Sequence, residues 1–312
     1  MTDDTEAYDE NLSRILDQVD GFNTREATWA WLSGGGAHKN FLVTGADDEK
    51  KCVVKLWSRE WEQVGVIPPA PVAMQNTRIA GELGIGAAVL AIVDDPLALV
   101  LEYIPGKELN VESKTDIAHL AAAARKLHDS KAVFFRDFNP FAEARVILAS
   151  AYQAGVPLPD GFDSVQPTLK QIESTLDLRA NEFVPCHNDL YGSNILQTSD
   201  DQLRLVDYDL SGNGDRCYDL GFISTYSKFD PDQTAHLVES YFNQSSETLL
   251  ARVHLFAIAA DYSTLALWIA AQAVADKNDD YDYAGYMREC WEGVCAKIDD
   301  AEFGKRLELA RR

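Results

Sequence analysis

The chain has 312 residues, 46% of them hydrophobic and 25% charged, the composition of a soluble globular protein with room for two sizeable cores. A formal net charge of −22 argues against a nucleic-acid partner, which needs a basic footprint, and is compatible with a cationic substrate. Five cysteines with no Cys-x-x-Cys give neither a disulfide framework nor a cysteine zinc site.

In chain order, an acidic amphipathic helix is expected over about Asp9 to Val19, unlike a signal peptide, so the expected location is the cytoplasm. Three strands follow at Thr28–Leu32, Asn40–Thr44 and Lys51–Trp57, the last two joined by a turn at Gly45–Glu49. A helix over Val72–Leu83 starts after a run of prolines and stops at Gly84. Strands at Ala88–Val93 and Leu97–Tyr103 lead to a turn at Ile104–Gly106. Beyond it the pattern turns helical, over Asp116–His128, from Asn139–Pro140 to Gln153, and over Ser164–Leu178. Short strands at Phe183–Cys186, Ile195–Gln197 and Gln202–Val206 come next, and nearly everything after Gly221 reads as helix. The apolar stretch Leu255–Ala275 is long enough to span a membrane, but Asp261, Ser263, Thr264 and Gln272 within it favour a buried helix. The fold class is therefore α+β, with a small antiparallel-sheet lobe over residues 1–103 and a larger helical lobe over 104–312. A nucleotide site between the two follows from that shape.

The segment 186–221 carries the chemistry. His187, Asp189 and Asn194 form His-x-Asp-x-x-x-x-Asn on a loop between two strands, and Asp207 follows 13 residues later at a strand end. Phosphoryl transfer from a nucleotide needs these parts: an aspartate to take the proton of the attacking hydroxyl, and an asparagine and a second aspartate to hold Mg²⁺. Asn194 and Asp207 offer hard oxygen ligands, and Asp189 is placed to act as base. Earlier in the chain, Gly34, Gly35 and Gly36 join the first two strands and let backbone approach phosphates. Lys55 lies in an otherwise apolar strand, where it needs an anion such as the ATP phosphates. A glutamate to pair with Lys55 is not evident; Glu60, Glu62, Gln75 and Glu82 are the nearby choices. The backbone of Glu102 to Ile104, at the hinge, is positioned for an adenine edge.

With Lys55, Cys-His-Asn-Asp189-Leu, Val-Asp207-Tyr-Asp209, Phe-Asn-Pro-Phe141 and Leu-Trp268, the chain resembles the choline/ethanolamine kinase branch of the aminoglycoside-phosphotransferase-like kinases, from about Trp29 to Trp291. The resemblance implies a protein-kinase-like two-lobed fold that uses ATP and Mg²⁺ to phosphorylate a small alcohol. It makes Asp189 the base and Asn194 and Asp207 the metal ligands, with Asp219 and His187 bracing the loop; a helix cap is the simpler role for Asp219. Asp209 and Trp268 would receive a small cationic alcohol, choline or ethanolamine first, by charge and cation–π attraction. The chain departs from the pattern at Asp209, where choline kinases carry glutamate, and at Leu265 and Asn213, positions often aromatic in the family. Tyr208, Tyr218 and Tyr262 are the candidates to complete an aromatic cage. An aminoglycoside or sugar phosphotransferase, and a nucleotide-binding pseudokinase scaffold, stand as alternatives.

Overall fold

The computed structural model describes residues 2–20, 22, 26–32, 37–46, 50–179, 182–274 and 282–311. Gly34, Gly35 and Gly36 lie outside the described residues, as does most of the turn expected at Gly45–Glu49.

Helix α1 (Thr2–Leu16) precedes strands β1 (Thr28–Leu32), β2 (Lys39–Thr44) and β3 (Lys51–Leu56). A short α2 (Arg59–Gln63) and α3 (Ala70–Glu82) lead to β4 (Val89–Asp94) and β5 (Leu97–Glu102). The five strands form one antiparallel sheet in the order β1-β2-β3-β5-β4. Period-two alternation divides β3 between two environments: Cys52 and Val54 enter an outer core with Leu12, Ile15 and Leu16 of α1, while Lys55 turns the other way.

Past Glu102 the chain is mostly helical. Strand β6 (Gly106–Glu108) is followed by α4 (Lys114–His128), α5 (Pro140–Gln153) and α6 (Phe162–Leu176). Ser113 and Asp116 form a capping box at the start of α4, and Asn139 caps α5 with Pro140 in its first turn. Three short strands, β7 (Val184–Cys186), β8 (Ile195–Thr198) and β9 (Leu203–Leu205), carry the 186–221 segment, and β10 (Gly212–Gly214) pairs with β7. Helices α7 (Arg216–Tyr226), α8 (Pro231–Phe242), α9 (Glu247–Ala271), α10 (Tyr283–Ile298) and α11 (Phe303–Ala310) complete the chain.

The long apolar helix α9 passes through the main core and packs on α5, α7, α10 and α11, with 83% of its most apolar 18-residue window buried. Gly221 allows α7 to lie directly on it: a Cβ there would meet Ala257 N at 2.7 Å. Burial on most of its sides explains why this helix shows no amphipathic stripe, although Asp261, Ser263 and Thr264 lie within it.

Candidate active site

Residues 187–189 form a tight bend between β7 and β8, with Asn188 in the left-handed region at φ 68°. Such a backbone costs ~1–3 kcal/mol for a non-glycine residue and persists only where neighbours over-determine it. Asp219, fully buried in α7, supplies that constraint. Its Oδ2 accepts from the His187 N–H (2.9 Å) and its Oδ1 from the Asn188 N–H (2.8 Å). His128 of α4 donates from Nε2 to the same carboxylate (2.9 Å) and accepts the Tyr241 hydroxyl on Nδ1 (2.6 Å). Burial alone would raise the Asp219 pKa, but the hydrogen bonds from His128 and from the His187 amide hold it below the usual value. The cap of α7 is Asp215, which accepts from Cys217 N–H (2.9 Å), so capping is not the work of Asp219.

His187 points back into the protein, donating from Nε2 to Val206 O (2.9 Å) with its ring 4.5 Å from that of Tyr208. Burial depresses its pKa and keeps it neutral. The cluster His128, Cys186 and Asp219 has metal-ligating residue types, but both nitrogens of His128 are already used within the protein, and burial raises the Cys186 thiol far from ionisation.

Asp189 and Asn194 face each other across the bend: Asn194 Nδ2 donates to Asp189 O and Oδ2, both at 2.9 Å. Burial and the nearby Asp207 charge raise the Asp189 pKa well above the usual carboxylate value, with the Asn194 amide opposing them. Asp207, also left-handed at φ 68°, meets Lys55 at 2.8 Å, and Asp209 Oδ2 meets the same ammonium at 2.8 Å. Among the described residues these two aspartates, and none of Glu60, Glu62, Gln75 or Glu82, pair with Lys55. Glu62 instead accepts from Trp57 Nε1 and Ala70 N–H, and α3 spends its inward polar side chain, Asn76, on Ser211 (3.1 Å). Burial would lower the Lys55 pKa, but the two carboxylates raise it.

Asp209 has a further partner that its position in the sequence did not suggest. His38 Nδ1 accepts from Ser58 N–H (3.1 Å), which leaves the proton on Nε2, 3.1 Å from Asp209 Oδ2. Burial pushes the Asp209 pKa up, yet Lys55 and His38 hold it well below the usual range. Its second oxygen, Oδ1, is buried without a partner. That orphaned oxygen, the Asp207 carboxylate and the Asn194 carbonyl make an all-oxygen donor set suited to a hard divalent cation.

Lys55, Asp189, Asp207 and Asp209 line one end of a cleft of about 680 Å³. The other end lies between the end of α7 and the facing sides of α9 and α10, where Tyr226, Asp261, Trp268, Tyr286, Glu289 and Lys297 enter the wall. Trp268 stacks on Tyr286 with ring centroids 5.1 Å apart. Asp189, Asp207, Asp209, Lys55 and Trp268 are thus brought to one cleft, with Ala37 and His38 also in its wall. Glu102 and Ile104 do not line it.

The aromatic cage expected from Tyr208, Tyr218 and Tyr262 is not formed: all three are buried in the core. Tyr262 packs on Phe141 and Phe162, and the Tyr218 hydroxyl bonds Ser263 (2.8 Å). Leu265 is likewise buried. Asn213 clamps the 134–137 loop through Phe134 N–H (2.8 Å), Phe134 O (2.9 Å) and Arg136 O (3.0 Å), so it has no role in the cleft. Tyr286, Tyr226, Asp261, Glu289 and Lys297 were missed; the one signal for them was an unexplained aspartate in the apolar run before Trp268.

The sequence matches the phosphotransferase enzyme family over residues 32–256, more than half of the chain. The chain belongs to that family. The chain is 26% identical to Protein LicA of Haemophilus influenzae over 145 residues, which cover 45% of this chain and 41% of that protein. The chain spans roughly half the length of the curated relatives it matches. Its fold is that of a choline/ethanolamine kinase family protein from Mesorhizobium loti (TM-score 0.74, 23% identity, 98% of this chain and 99% of that one). It is similarly that of choline kinase LicA from Streptococcus pneumoniae (TM-score 0.74, 19% identity, 94% of this chain and 99% of that one). The two-lobed kinase-like fold class read from the sequence is therefore correct.

Proposed function

We propose that this phosphotransferase moves the γ-phosphoryl group of ATP to the hydroxyl of a small ammonium-bearing alcohol of the choline or ethanolamine type. The observation that carries this reading is the convergence, in one cleft, of Asp189, Asp207 and Lys55, with Asn194 hydrogen-bonded to Asp189, and an aromatic and acidic far end at Trp268, Tyr286, Asp261 and Glu289. Residues 1–103 would form the nucleotide lobe and 104–312 the catalytic and substrate lobe.

In the reaction the acceptor hydroxyl attacks the γ-phosphorus in line, the bond to the β-bridging oxygen breaks, and ADP leaves. Asp189 orients the hydroxyl and takes its proton as the new P–O bond forms. Lys55 exchanges its aspartate partners for phosphate oxygens, a swap that keeps a buried ammonium paired throughout. Asn194 and Asp207, with the orphaned oxygen of Asp209 beside them, would hold Mg²⁺, which supplies charge neutralisation between the phosphates. Asp209, placed at this end by Lys55 and His38, serves the phosphates in this reading and not the substrate head. Trp268 and the acidic groups of α9 and α10 receive the ammonium.

The test is an ADP-release assay across choline, ethanolamine, aminoglycosides and small sugars with Mg²⁺ and ATP. Turnover with an amino alcohol, abolished in Asp207→Ala, supports the reading. Turnover with kanamycin alone replaces it with an antibiotic kinase, and nucleotide binding without turnover replaces it with a scaffold.

A further inference from the structure

The far end of the cleft contains a charge that a simple cationic substrate does not need. Asp261 sits in the apolar helix α9 with 3% of its surface exposed, and Lys297 of α10 meets its Oδ2 at 2.5 Å. α10 approaches so closely that a Cβ on Gly293 would collide with the Asp261 carboxylate. Both members of the pair line the cleft, and the Lys297 side chain is 31% exposed. A second pair, Lys228 with Glu289 at 3.1 Å, lines the same end. The wall is therefore balanced in charge, with two carboxylates and two ammonium groups, the Lys228–Glu289 pair being the exposed one.

For a substrate that is only a cation, this arrangement is poor. Lys297 already neutralises the one deeply buried carboxylate, and a substrate ammonium must either displace it or sit beside it against like-charge repulsion. The Trp268 face turned toward Tyr286 is taken by stacking and is closed to a trimethylammonium. A head that carries an ammonium and an anion together meets neither problem. Its ammonium adds to Asp261 and its anion to Lys297, and each buried charge keeps an opposite neighbour. A tie between α9 and α10 alone would not require both charges in the cavity wall.

We propose that the acceptor is a zwitterionic amino alcohol, a hydroxyl compound with an ammonium and a carboxylate on the same head, read by Asp261 and Lys297. This rests on the phosphoryl-transfer reading above and replaces its purely cationic acceptor with a zwitterionic one. The chemistry of the step is unchanged: the hydroxyl gains the phosphoryl group, and the head is held and not altered.

The experiment uses pairs that differ only by the carboxylate, L-serine against ethanolamine and L-homoserine against 3-aminopropan-1-ol, with choline alongside, in the ADP-release assay on the full chain. The expected result is a kcat/KM at least tenfold higher for the carboxylated member of one pair. Lys297→Met should lower that value at least tenfold while the decarboxylated member changes less than threefold, and Lys297→Arg should restore it. Because Lys297→Met leaves Asp261 buried and unpaired, the Asp261→Asn/Lys297→Met double variant is measured beside it, with thermal unfolding to establish that it is folded; it too should lose the preference for the carboxylate. A preference for ethanolamine or choline over both carboxylated partners overturns the proposal and leaves the amino-alcohol kinase reading standing. Equal loss for both members of a pair in Lys297→Met makes the pair a helix tie and overturns it as well. No acceptor-dependent ADP release with any of the five compounds overturns both readings.

Discussion

Around Asp189 the cleft is held by backbone, whereas around Asp261 it is held by side chains alone. Asp219 fixes two consecutive amides of the 187–189 bend and is itself fixed by His128 and Tyr241. Asp261 is held by Lys297 of α10, and Glu289 by Lys228 in the turn after α7. The first arrangement tolerates no variation without losing the bend. The second can change its ligand by exchanging one side chain, since nothing in the backbone depends on it. A reaction end built to be invariant and a substrate end built to be adjustable are what a family with many acceptors requires.

The largest effect is expected at Asp189. Asp189→Asn should reduce kcat by ~10²–10⁴ while ATP affinity, read by calorimetry, stays within threefold, because the proton acceptor is lost and the fold around it is not. A kcat close to the parent value would move the base elsewhere. Next is Asp219→Asn, which leaves at least one buried donor of the bend unpaired and should cost ~2–5 kcal/mol in denaturant unfolding. The Asp219 pKa is depressed in the folded protein, so its stabilisation is complete above the unfolded carboxylate value near 4 and is lost as the pH falls through the folded one. Acid unfolding should therefore be blunted in Asp219→Asn relative to the parent.

The substrate end should answer to pH instead. Burial raises Asp261 to about 6, with Lys297 opposing and Glu289 adding to the rise; Tyr226 and Cys290 are the other titratable groups beside it. Above that value it is ionised and attracts an ammonium; below it the attraction fades. The acceptor KM should rise about tenfold between pH 7 and pH 5, the KM for ATP should not follow it, and Asp261→Asn should flatten the acceptor profile. The smallest effect is expected from Gly293→Ala, which crowds the Asp261 carboxylate: a several-fold rise in acceptor KM, with kcat held within twofold.

The same contrast explains what could be read in advance. His187, Asp189, Asn194, Asp207 and Asp219 fall within one stretch of chain because a single bend, the strands beside it and the helix α7 that follows carry them, so their spacing is visible as a string. The partner of Lys55 was sought in the following helix, but it lies within that same string, at Asp207 and Asp209, while α3 uses Asn76 for docking. Tyr226, Asp261, Tyr286 and Lys297 come from three helices and share no spacing; only packing brings them together. The tyrosines expected to form a cage failed for the related reason that an aromatic beside a motif is as well suited to the core as to the site. Glu102 and Ile104 were placed by position in the hinge alone, and the cleft wall lends them no support.

Strand β3 has a consequence that reaches beyond the cleft. Val54 is clamped in the outer core against α1, and the next residue along the same pleat is Lys55. The depth to which the ammonium reaches is thus set by how firmly the opposite face of the sheet is seated on Leu12 and Ile15. A modest cavity on that far side would act as a lever, tilting the strand and detuning phosphate contact without altering any group that touches a ligand.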